Sequence, residues 1–184
     1  MNKEITLIII ALGFLIIACK QEKGRTLDVV RLCLEAQNET SLLFNQRNLN
    51  LQKIVETKKT DNQDLDKSNL AEIDTLNIQI SKAVNIYLNE LKLEKEKFSD
   101  NTLLNEVINH LESLKKFEKK FGIYLTLIKD TIVDNELEIS ETITNLALTL
   151  KSETNKLKNT KEVFYEKYKI EQRQIDSILD LIEK

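Results

Sequence analysis

The sequence predicts an all-α protein, an antiparallel up-down bundle of about four long helices. The 184-residue chain contains no proline, no tryptophan and only three glycines. Proline and glycine are the residues that most often end helices and form turns, so their scarcity favours long helices. Apolar residues also recur at intervals of three and four in successive segments, which is the spacing of one helical face. Short polar stretches separate these segments, and short connections make neighbouring helices antiparallel.

The first helix of the bundle is predicted over residues 27–58. Thr26 suits its N-cap, and Asp28 places a negative charge in the first turn, where it complements the helix dipole. The middle of its apolar face is interrupted by polar residues where a tight core would favour aliphatic ones, and we interpret them as a candidate binding face. These candidate binding residues are Gln37, Asn38, Ser41 and Asn48.

Two further helices follow. A polar loop is predicted over 60–69, and the second helix over 68–98, capped by Ser68 or Asn69. After a short turn at 99–102, the third helix has the most regular apolar stripe and is predicted to be the central core helix. A local basic rim on this helix could touch a membrane surface, but acidic residues lie among the basic ones and favour a solvated face. The residues assigned to that solvated face are Glu112, Lys115, Lys116, Glu118, Lys119 and Lys120.

The last helical segment is predicted from Glu136 to about Glu183. The sequence Asn159-Thr160-Lys161-Glu162 resembles a capping box, so a kink or a short break is predicted near Asn159. An extended coiled coil that pairs with another chain is the alternative architecture. Stripes widened by adjacent apolar pairs such as Leu103-Leu104 favour the bundle over a narrow two-stranded seam.

The first part of the chain has the pattern of a leader. Residues 5–18 are almost entirely apolar, but they are fewer than the ~20 needed to cross a membrane as a helix. Such a run, ending in a small residue, is typical of a secretory signal. Its end, Ile16-Ile17-Ala18-Cys19, resembles the lipobox of bacterial lipoproteins. The resemblance implies cleavage between Ala18 and Cys19, and attachment of a diacylglyceryl group and further acylation at Cys19.

This resemblance implies three parts of the chain: a signal peptide at 1–18, a lipidated cysteine with a short tether at 19–26, and the bundle at 27–184. Several acyl chains hold a protein on a membrane without a spanning helix. We therefore expect a bacterial cell-envelope protein, anchored by lipid at the periplasmic face or the cell surface. Lys20 after the cysteine is compatible with outer-membrane sorting. The alternative is an ordinary signal peptide or short anchor in which Cys19 is coincidental.

The remaining composition argues against catalysis. The formal net charge of −3 argues against nucleic acid as the main partner. His110 is the only histidine, and it lies on a periodic helix, where we expect a surface residue. One histidine and one free cysteine cannot form an ordinary zinc site, so no catalytic residue, metal or cofactor is expected. Cys33 should hide in the core or pair between molecules, and its apolar neighbours favour the core.

The function predicted from these features is non-enzymatic: a lipid-anchored helical bundle that binds another envelope protein. One alternative is a carrier of a small apolar ligand or lipid, held in a cavity where the candidate binding residues face Tyr87 or Tyr124. A passive coiled-coil spacer is the other alternative.

Overall fold

The computed structural model describes the backbone of residues 3–57, 63–130 and 136–183, and the side chains of 24–53, 70–126 and 141–183. These ranges contain helices and connecting turns but no strand. The helices are α1 (Lys3–Thr57), α2 (Gln63–Lys95), α3 (Thr102–Asp130), α4 (Glu136–Tyr168) and α5 (Gln172–Ile182).

The four long helices run alternately up and down, which confirms the predicted all-α antiparallel bundle. Along each neighbouring pair, residue numbers rise on one helix as they fall on the other. The polar contacts that show this are Glu39–Tyr87 and Arg47–Asn77 between α1 and α2, Lys92–Glu112 and Asn85–Lys115 between α2 and α3, and Asp100–Tyr168 and His110–Thr154 along α3 and α4.

Two predicted helix starts are wrong, because α1 and α2 begin earlier in the chain. Thr26 lies inside α1 and is almost fully buried, so it does not cap a helix start. Ser68 and Asn69 likewise lie inside α2, and residues 63–69 of the predicted loop 60–69 are helical. A threonine or serine acts as an N-cap only where the backbone hydrogen bonds of a helix begin, and no proline interrupts those hydrogen bonds here. The starts of α3 and α4 are as predicted; residues 58–62 and 131–135 lie outside the described residues.

The break in the last helical segment is not at Asn159. Helix α4 continues through that residue to Tyr168, because Leu157 and Phe164 bury the face on either side of it. The interruption comes ten residues later, at Lys169, which has a left-handed backbone with φ of 51°. There the amide of Ile170 donates to the Tyr165 carbonyl at 2.9 Å and that of Lys169 to the Glu166 carbonyl at 3.2 Å, the two bonds of a Schellman motif.

The described side chains form two hydrophobic clusters in the bundle interior. The larger, here called the large core, combines aliphatic residues of α1, α2 and α3 with Phe98, Leu157, Phe164, Ile170 and Ile175. The smaller, here called the small core, lies toward the other end of the bundle. It consists of Ile73, Phe117, Phe121 and Leu125.

Cys33 belongs to the large core. Its side chain is 1% exposed and its thiol is free, which confirms the predicted buried position. Burial raises the pKa of this thiol to about 12. The thiolate, which is the reactive form, is therefore scarce at neutral pH.

Candidate binding cleft between α1, α3 and α4

One side of the bundle is more open than the others. The backbones of α1 and α4 approach each other closely at fewer positions than those of α1 and α2, α2 and α3, or α3 and α4. A cleft of about 440 Å³ lies on this side. Phe44, Leu114, Leu150 and Leu157 provide apolar lining, and Gln37, Thr40, Ser41, Asn45, His110, Thr154, Lys158 and Lys161 provide polar lining.

Lys161 extends from α4 to α1 at this cleft. Its Nζ donates to Gln37 Oε1 at 3.0 Å, and Gln37 Nε2 in turn donates to the carbonyl of Cys33 at 2.9 Å. Burial lowers the pKa of Lys161. Among the described side chains no carboxylate forms a salt bridge with Lys161. The half-buried ammonium is therefore held by a neutral amide.

His110 reaches the same cleft from α3. It is half-buried, not at the open surface as predicted, and its Nδ1 lies 3.4 Å from Thr154 Oγ1. Burial lowers the pKa of the imidazole, although the negative charge of Glu153 acts in the opposite direction. Because the ordinary value is already below 7, the ring is mainly neutral at neutral pH.

The structure brings only two of the four candidate binding residues together. Gln37 and Ser41 line the cleft, whereas Asn38 and Asn48 are half-buried outside it. Neither Tyr87 nor Tyr124, which were predicted to face these residues, is among the lining residues of the cleft. The Tyr87 hydroxyl donates to Glu39 at 2.7 Å, and the Tyr124 ring packs on Phe121. Gln37 and Ser41 of α1 thus line the cleft together with residues of α3 and α4.

A second polar feature, a buried ion pair, was not predicted. The side chain of Arg47 is fully buried and that of Glu118 is 3% exposed. Arg47 Nη1 donates to Glu118 Oε2 and, at 3.1 Å, to Asn77 Oδ1. The Arg47 side chain on α1 thus contacts residues of both α2 and α3. Glu118 was expected on a solvated face, and that prediction is wrong.

Aromatic rings surround the guanidinium of Arg47. Its Cζ lies 4.3 Å from the ring centroid of Phe121, 4.6 Å from that of Phe44 and 5.8 Å from that of Phe117. Such contacts stabilise a cation electrostatically. Arg47 Nε and Nη2 and Glu118 Oε1 have no hydrogen-bond partner among the described residues, so the rings are the main compensation for the two nitrogens.

Burial raises the pKa of Glu118 and lowers that of Arg47, against the attraction between the two charges. Spacing could have revealed the pair. Arg47 lies three residues after Phe44 and four before Leu51, and Glu118 lies four after Leu114. Both charges therefore occupy positions of the apolar stripes.

Neither a metal centre nor a membrane span is found in the described part of the chain. No group of three His, Cys, Asp or Glu side chains there could hold a metal ion. Within the same residues, no helix is long and apolar enough to cross a membrane. Ala18 and Cys19 fall within the backbone of α1, and their side chains lie outside the described set. No protein-family model, curated protein sequence or solved structure matches the chain.

Proposed function

We propose that the chain is a lipid-anchored, non-enzymatic protein of the bacterial cell envelope whose helical bundle binds another envelope protein. The observation that carries this proposal is the sequence Ile16-Ile17-Ala18-Cys19 at the end of an apolar run of about fourteen residues. Acyl chains on Cys19 would hold the bundle at a membrane surface, since each buried methylene contributes ~0.8 kcal/mol.

The anchor is tested by mass spectrometry of the protein recovered from its native host. We expect a chain that begins at Cys19 and carries the mass of a diacylglyceryl group, with an additional acyl group on its amine. A Cys19→Ala variant should keep residues 1–18 and carry no lipid. An intact leader, or a bare thiol on Cys19 of the unaltered protein, would contradict the anchor.

The outer face of α1 is the surface on which the protein partner is best sought. Leu42 and Leu49 are 56% and 57% exposed, and their spacing of seven residues places them on the same side of the helix. Interfaces concentrate apolar anchors of this kind within a polar rim.

A photo-crosslinking residue at position 42 or 49, introduced in intact cells, tests this surface. We expect one protein to be captured at both positions and not from Lys116, an exposed position on α3. Capture of lipid alone, or equal capture of many proteins from all three positions, would count against a protein-binding function.

Carriage of a small apolar ligand is a second candidate function. The cleft between α1, α3 and α4 favours it, because a volume of about 440 Å³ lies within the ~300–1,000 Å³ typical of small-molecule sites. Binding pockets of this type combine an apolar lining with a few polar groups that orient the ligand.

A further inference from the structure

We propose that this cleft binds a single-chain amphiphile with a carboxylate head, a fatty acid in chemical class, with Lys161 pairing the head group. The inference rests on the second candidate function and names its ligand. It requires a cationic contact for the head, an apolar surface for the chain and a volume that suits one chain.

The charge of the cleft suits an anion. Lys158 and Lys161 both line it, and no aspartate or glutamate is among its lining residues. A half-buried ammonium without a carboxylate is costly to keep charged, which is why burial lowers the pKa of Lys161. A ligand carboxylate would supply the missing counter-charge in a partly dehydrated setting, where a charge-assisted hydrogen bond is strong.

The present partner of Lys161 can be exchanged. Its Nζ has three N–H donors, and only the bond to Gln37 Oε1 engages it in the described structure. The Gln37 amide is also fixed by its own bond to the Cys33 carbonyl. A carboxylate could therefore join or replace the Gln37 oxygen without disturbing α1.

The apolar lining suits a hydrocarbon chain. Phe44, Leu114, Leu150 and Leu157 contribute side chains from three helices. A chain packed against them would bury apolar surface at roughly 25 cal/mol per Å². The cleft volume of about 440 Å³ is in the lower part of the ~300–1,000 Å³ range of ligand pockets, which favours one chain over a two-chain phospholipid.

The test is photo-labelling of the full chain in its native membrane fraction with a fatty acid that carries a diazirine on its chain. The corresponding alcohol serves as the uncharged probe. Labelled peptides are mapped by mass spectrometry, which separates the cleft from the acylated leader region. We expect the acid to label segments 37–45 and 150–157, and the alcohol to label them at least about tenfold less, as expected when a charged hydrogen bond is lost.

Variants locate the head group. Lys161→Gln should reduce labelling of the cleft by about tenfold, whereas Lys161→Arg, which keeps the charge, should retain most of it. Lys156→Gln is the matched control, because Lys156 lies on the same helix but is exposed and paired with Glu153. Circular dichroism of each variant establishes that it is helical.

Equal labelling by acid and alcohol, unchanged labelling in Lys161→Gln, or labels confined to residues outside the cleft would each overturn the proposal. The acyl mass on Cys19 is read from the same digest. Loss of the anchor and loss of cleft labelling are therefore separate results, and failure of this inference leaves the anchoring proposal standing.

Discussion

The two hydrophobic clusters of the bundle bury their interiors with different chemistry. The large core is formed by apolar side chains, and the polar side chains buried at its end of the described bundle, Thr26 and Thr40, are uncharged. The small core lies against Arg47 and Glu118, which are as inaccessible as the residues of the large core. The described interior is thus uncharged at one end of the bundle and contains a paired charge at the other.

The difference shows what each end contributes to the fold. Burial of apolar area in the large core stabilises the bundle without selecting a unique alignment of its helices, because it is non-directional. Arg47, in contrast, must meet Asn77 on α2 and Glu118 on α3 at the same level. A buried pair adds little net stability but penalises any arrangement that separates it. We therefore infer that the Arg47–Glu118 pair beside the small core fixes the register of α1, α2 and α3.

The largest expected effect comes from breaking that pair. Glu118→Ala leaves the Arg47 guanidinium buried without its carboxylate, and we expect the free energy of unfolding to fall by about 3–5 kcal/mol. Urea unfolding followed by circular dichroism measures the change.

A double variant shows whether the loss of stability comes from the unpaired charge of Arg47 or from the removed side-chain volume. Arg47→Met with Glu118→Leu replaces both charges by apolar groups of similar size, and most of the stability should return. If Glu118→Ala lowers the free energy of unfolding by less than about 1 kcal/mol, as loss of an exposed pair does, the pair does not hold the three helices in register.

A smaller effect compares truncations within the two cores. Leu104 is 0% exposed in the large core and Leu125 is 3% exposed in the small core. Leucine-to-alanine changes in cores cost about 2–5 kcal/mol, depending on how far the site collapses around the cavity. We expect Leu104→Ala in the upper half of that range and Leu125→Ala in the lower, because among the described residues Leu104 belongs to the cluster with more buried members. Equal losses in urea unfolding would contradict the distinction between the cores.

The architecture could be predicted from the sequence because it depends on patterns that extend over tens of residues. The apolar spacing of three and four continues along each helix, and the scarcity of glycine and proline rules out frequent breaks. Single boundaries depend on local competition. Residues 159–162 have the sequence of a capping box, yet burial of Leu157 and Phe164 keeps the helix intact there. The break occurs instead at Lys169, without a glycine.

The cleft could be predicted only in part. Gln37 and Ser41 are polar residues on an apolar face, which is a signal within one helix, and they line the cleft. Lys161 and His110 reach the cleft from other helices, and their participation depends on the rotation of α3 and α4 about their axes. The sequence also predicts a solvated position for Glu118 and gives no partner for Arg47, because the two residues are 71 positions apart and lie on different helices.

The smallest effect concerns a charge at the surface of the large-core end. The Asp100 carboxylate accepts hydrogen bonds from Lys167 Nζ at 2.7 Å, Tyr168 Oη at 3.0 Å, and Thr102 through Oγ1 at 2.6 Å and the first amide of α3 at 3.1 Å. Partial burial acts to raise the pKa of Asp100, but these bonds together outweigh it and hold the pKa well below the ordinary value. Asparagine still accepts the hydrogen bonds of Thr102, so Asp100→Asn removes mainly the charge that pairs with the exposed Lys167. It should therefore destabilise the bundle by about 0.2–1 kcal/mol at neutral pH.

The pH dependence distinguishes this contact from the buried pair. Because the pKa of Asp100 is depressed in the folded state, its contribution is fully present above the unfolded value of about 4 and declines as the pH falls further toward the folded value. The asparagine variant does not titrate at this position. The difference in unfolding free energy between the unaltered chain and Asp100→Asn should therefore be constant from about pH 7 to 5 and shrink progressively below about pH 4. A difference that stays constant down to about pH 2 would mean that Asp100 stabilises the turn through neutral hydrogen bonds and not through its charge.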